Sequence, residues 1–131
     1  MRVYRVQDQE GHGPFRPGFS ATWSDAEWAP GMKPLPTFME EFGRDLIDRL
    51  GLPGEHFGSA VRTAPEIRKW FSPTEQRCLI DLGYNVVALK VSRVLAESKN
   101  QLVFARRMPL RHGAIIVSWP TISSAYREGE Q

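Results

Sequence analysis

The side chains able to do chemistry are few and dispersed. Three histidines, His12, His56 and His112, stand too far apart to suggest a metal site, and no zinc-ligand spacing accompanies them. The only cysteine, Cys78, has no second thiol to bridge and reads as a small apolar residue on a helix. Neither a glycine-rich phosphate loop nor a nucleophile-elbow pattern is present. Charge and aromatic placement remain. Asp8, Glu10, Asp25, Glu27, Glu40, Glu41, Asp45 and Asp48 load the first half with acid, whereas Arg93, Lys99, Arg106, Arg107 and Arg111 make the last third basic. Cations grouped in this way form either a phosphate-binding face or a solvated surface. Phe15, Phe19, Trp23, Trp28 and Met32 either pack in a core or anchor a partner.

Size and composition bound what can position these groups. With 131 residues, 41% hydrophobic and 24% charged, the chain fits one globular domain over 1–131 with a single core. A formal charge of +2 predicts no strong pull toward nucleic acid or acidic lipid, so nucleic acid is disfavoured as a partner. Met1 to Val6 is too short and polar for a signal peptide, and no apolar run reaches the ~20 residues of a membrane span. The expectation is a cytoplasmic protein without a membrane partner; the oligomeric state is open.

The chain opens with a predicted strand, Arg2 to Val6, with Val3 and Arg5 on one face and Tyr4 and Val6 on the other. Residues 10–36 carry so many glycines and prolines that a long loop is expected. Thr37 and Glu40 have capping-box spacing, starting a helix that stops at Gly51. His56 to Arg62 reads as a strand. Thr63 with Glu66, and Ser72 with Glu75, repeat the capping-box signal for short helices at Ala64 to Phe71 and Pro73 to Leu82. Tyr84 to Val91 is the strongest strand. A helical turn at Ser92 to Ser98, a strand at Asn100 to Phe104 and another at Ala114 to Trp119 complete the reading. Strands at both ends with helices grouped between them predict an α+β fold with mainly antiparallel sheets.

Val3-Tyr4-Arg5, then a polar turn with Asp8, then Phe15-Arg16-Pro17-Gly18-Phe19, resembles the opening of bacterial ADP-ribosyltransferase toxins of the pertussis and cholera catalytic-subunit type. The resemblance implies an ADP-ribosyltransferase-like fold with NAD as co-substrate. It also implies that Tyr4-Arg5 contributes to cofactor binding, Arg5 holding phosphates or ribose through its always-charged fork. The family's Ser-Thr-Ser strand falls on Phe57-Gly58-Ser59, where Gly58 permits close backbone approach and Ser59 alone retains a hydroxyl, with Ala60 and Val61 following. Counting back from Pro109 by the family's spacing places Gln101 where the catalytic glutamate would be, with Lys99 at the acceptor-orienting position. An amide in place of that carboxylate would cost roughly two or more powers of ten in rate. Glu97, just upstream, could supply a carboxylate if the connecting turn folds back.

Three functions follow as expectations. One is an enzyme in which Arg5, Ser59 and Gln101 or Glu97 surround one cleft and ADP-ribose passes to a protein target or to water. A second is an inactive module that binds NAD or a related nucleotide. The third is a small bacterial or phage-type adaptor that works through its aromatic loop or its basic face.

Overall fold

The computed structural model describes residues 1–14, 42–43 and 53–119. The expected loop over 10–36 from Phe15 onward, its aromatics, and the helix from Thr37 to Gly51 apart from Phe42 and Gly43 lie outside the described residues. The described elements run β1 (Arg2–Gln7), β2 (His56–Ala60), a short 3-10 helix (Ala64–Lys69), α1 (Pro73–Asp81), β3 (Asn85–Lys90), β4 (Arg93–Glu97), β5 (Leu102–Arg106) and β6 (Ile115–Val117). The fold is α+β, with two antiparallel three-stranded sheets and few helices among the described residues. One sheet has the order β1-β3-β6, the other β2-β5-β4.

Alternation along β1 explains how the layers stack, because successive side chains in a strand point to opposite faces. Val3 enters a core with Ala60, Val87, Leu89, Leu102 and Phe104, which lies between the two sheets. Val6, on the other face, packs with Ile67, Phe71, Leu79, Val86 and Trp119, so the two helical segments cover that side. A smaller cluster, Leu95, Val103 and Ala105, lies on the far side of the second sheet with Phe42 against it. The two sheets are also joined through the backbone where Tyr4 and Val61 exchange both hydrogen bonds at 2.8 Å.

Local chemistry sets the helices. Ser72 Oγ accepts from Glu75 N at 3.2 Å, and Ser72 N donates to Glu75 Oε1 at 3.0 Å, forming the expected capping box of α1. Gly83, at φ 89, supplies the left-handed stop. At Thr63 the box does not close, because its hydroxyl donates to Glu66 Oε1 at 3.1 Å and caps no backbone amide. Helical structure there is the 3-10 turn alone.

The segment Ser92 to Ser98 is a strand, β4, and not a helical turn. Leu95 is buried in the third cluster, and a bulge between Val94 and Ala96 shifts the register against β5. Burial against β5 overrides the helix preference of Leu-Ala-Glu. Among the described residues no helix is long and apolar enough to cross a membrane.

Candidate functional site

β1 carries a charge into the inter-sheet layer. Arg5 points to the same side as Val3 and is only 9% exposed. Its guanidinium lies against two glycines: a Cβ on Gly58 would come within 1.8 Å of Nη1, and one on Gly13 within 3.0 Å of Nη2. Gly58 therefore does allow close approach, but to an arginine of the same chain. Among the described residues Nε and Nη1 have no hydrogen-bond partner. Burial pulls the Arg5 pKa down to about 10; Asp8 opposes the shift and nearby Arg106 adds to it. Asp8 itself is engaged in the turn that follows β1, its Oδ1 accepting from Glu10 N and His12 N at 2.9 Å each.

The remaining sequence-derived site residues go elsewhere. Tyr4 takes the opposite face of β1 and packs at the edge of the helix-covered core. Ser59 lies across from Val103, whereas Gly58 pairs with Phe104, so the two adjacent residues look to opposite sides of the second sheet. Glu97 and Gln101 do come together, since the Ser98-to-Gln101 turn between β4 and β5 folds back, with Ser98 N donating to Gln101 O at 2.8 Å. Both line a recess of about 170 Å³ with Arg62, Glu66, Ser98 and Lys99. Arg62 forks onto the Glu97 carboxylate and holds its pKa below the ordinary value. Gln101 is buried, at 6% exposure. Arg5 is not part of this recess. The expectation of one cleft joining Arg5, Ser59 and Gln101 or Glu97 is corrected: alternation along β1 and β2 sends the first two apart, and the length of β5 separates Gln101 from Arg106, beside which Arg5 lies.

A second concavity is larger. Arg2 and Lys90 stand opposite each other in the β1–β3 register and, with Ala88 and Ile115 from the neighbouring rungs, line a groove of about 720 Å³. Its walls come from residues 91–93, 106–108 and 112–113 and include Arg93, Arg106, Arg107, Met108 and His112. The one carboxylate in the lining among the described residues, Glu55, is held by Arg93. Arg2, Lys90 and Arg107 have no carboxylate partner among the described residues. Arg106 is a buried strut: Nη1 donates to Lys90 O at 3.3 Å, and Nη2 to Pro109 O at 2.5 Å and His112 O at 2.6 Å. These bonds tie the 107–112 turn to the edge of β3. Burial lowers the Arg106 pKa. Among the described residues no cluster of His, Cys, Asp and Glu could hold a metal.

A family model described as bacteriophage T4 Y00F protein matches residues 1–114, taking in every described strand up to β5 and the groove's Arg106–Gly113 wall. The chain belongs to the bacteriophage T4 Y00F family. This assignment replaces the resemblance to ADP-ribosyltransferase toxins, which rested on short motifs whose residues the fold disperses. No curated protein and no solved structure matches the chain. As a Y00F-family member it is a small phage-type protein. The groove residues Arg106 and Arg107 carry a signal in the basic last third of the sequence. Arg2, Lys90 and Ile115 carry none, because only the pairing of strands far apart in the chain brings them together.

Proposed function

We propose that this Y00F-family chain is a phage-type interaction adaptor that works by binding and not by turnover, with the basic groove as its working surface and an anionic macromolecule as its partner. The observation behind this reading is the surplus of cations in one concave surface: among the described residues Arg2, Lys90, Arg106 and Arg107 share the lining with a single carboxylate that Arg93 already pairs. Clefts lined by one sign of charge focus the field and raise the local concentration of an oppositely charged partner. The net charge of only +2 concentrates that attraction in the groove and not over the whole surface.

Retention on immobilised heparin, a generic polyanion, tests the reading. The double variant K90E/R107E should elute at markedly lower salt than the parent, while K69E/K99E, with the same change in net charge outside the groove, should elute close to it. Equal shifts in both variants would reduce the attraction to overall charge and remove the groove from the argument.

A further inference from the structure

The groove is not uniformly basic, and its apolar members narrow the partner. Ile115 is 55% exposed and Met108 is 47% exposed, each beside a cation: Met108 follows Arg107 on the wall, and Ile115 pairs with Ala88, two residues from Lys90 on the floor. Exposed apolar side chains set among charges mark an interaction surface, and methionine adapts its shape to whatever covers it. Single-stranded nucleic acid is held by aromatic platforms on which bases stack. Among the described residues the groove lining contains no Phe, Tyr or Trp. Its shape also exists before any partner arrives, because the Arg106 strut bonds the wall to Lys90 O, Pro109 O and His112 O. Little ordering cost then remains for the groove on association.

We infer that the partner is an acidic protein segment in which apolar side chains are interspersed with carboxylates, the carboxylates meeting Arg2, Lys90 and Arg107 and the apolar side chains covering Ile115 and Met108. This rests on the adaptor reading and goes further by naming the partner's chemistry. Arg106 acts as a positioning residue beneath the contact.

Fluorescence anisotropy on the full chain at low salt tests it with three labelled probes of equal charge: a Glu-Glu-Leu repeat peptide, an all-glutamate peptide and an oligo-dT strand. The leucine-bearing peptide should bind about tenfold tighter than the all-glutamate one, a difference of 1.4 kcal/mol. The double variant M108S/I115S should erase that advantage and leave the all-glutamate affinity in place, and K90E/R107E should weaken both peptides. Both serine positions are exposed, and an unchanged thermal midpoint verifies that the variant is folded. Equal affinity for the two peptides overturns the inference while leaving an anionic partner in the groove. Tighter binding of oligo-dT, lost in K90E/R107E, overturns it in favour of a nucleic acid. Failure of all three probes to bind overturns the adaptor reading as well.

Discussion

Arg5 and Arg106 enter the same end of the inter-sheet layer, have similar surface exposure, and live in opposite chemical circumstances. Arg106, at 8% exposure, spends its two terminal nitrogens on three backbone carbonyls and leaves only Nε without a partner among the described residues. Arg5, at 9%, rests on Gly58 and Gly13, and among the described residues both Nε and Nη1 are unpartnered. Burial of a charge is tolerated when hydrogen bonds replace its water and costs stability when they do not. Two arginines of similar surface exposure are therefore a structural strut in one place and a destabilising group in the other. Fuller hydrogen bonding of Arg106, together with the deeper desolvation of the Arg5 guanidinium, separates the two.

The largest expected effect is at the strut. Arg106→Met removes the donors of the Lys90, Pro109 and His112 carbonyls and should cost about 3–5 kcal/mol in denaturant unfolding. A cost near zero would mean that water substitutes for the guanidinium and that the groove wall stands without it. Arg5→Met should have the opposite sign, raising stability by roughly 1–3 kcal/mol, since an apolar side chain of similar length replaces a buried cation that nearby Asp8 only partly offsets. Destabilisation by Arg5→Met would show that the arginine is satisfied in solution and would end the contrast.

Gly58→Ala sharpens the comparison. Its Cβ would meet Arg5 Nη1 at 1.8 Å, so the substitution should cost stability in the parent and less in an Arg5→Met background. A coupling energy of about 0.5–3 kcal/mol in the double-mutant cycle is expected for groups in such contact. Additive effects would place the guanidinium away from Gly58.

Proton linkage gives a smaller, signed effect. The folded-state pKa of Arg5, about 10, lies well below the ordinary guanidinium value, so the protonated form is penalised by folding. That penalty is complete below the folded value and fades as pH rises through it. The stability gap between Arg5→Met and the parent should therefore be widest near neutrality and narrow above pH 10, as read by paired unfolding curves. The least effect is at the recess: Arg62 and Glu97 form an exposed pair, so Arg62→Ala should barely move the unfolding midpoint. By NMR titration the Glu97 pKa, now lowered by its bond to Arg62, should return toward the ordinary carboxylate value.

Much of this fold was legible in local sequence. The alternation of Arg2 to Val6 correctly put Arg5 on the face of Val3, but its burial in the core was not legible there. Ser72-Pro73-Thr74-Glu75 and Gly83 bounded α1 because both ends of that helix are fixed by nearby atoms. β4 was misread, since Val94-Leu95-Ala96-Glu97 favours a helix until Leu95 finds Val103 and Ala105 across the hairpin. The site was less legible for the same reason. Glu97 and Gln101 share a short hairpin and could be brought together by eye. Lys90 opposite Arg2, and Ile115 beside Ala88, are products of long-range register that no window of sequence contains. Short motif matches at Tyr4-Arg5 and Gly58-Ser59 suggested a shared pocket because matching ignores the alternation that turns neighbours to opposite faces.

The pairing of the first strand also governs when the molecule can assemble. Val3, Arg5 and Val6 leave the ribosome well before their rungs on β3, which are Leu89, Val87 and Val86, and β6 joins the same sheet later still. Contacts so distant along the chain demand closure of a long loop before they yield any stabilisation, which slows folding. During synthesis β1 must wait with its apolar side chains unprotected until β3 emerges, so the nascent chain is open to misassociation over that interval.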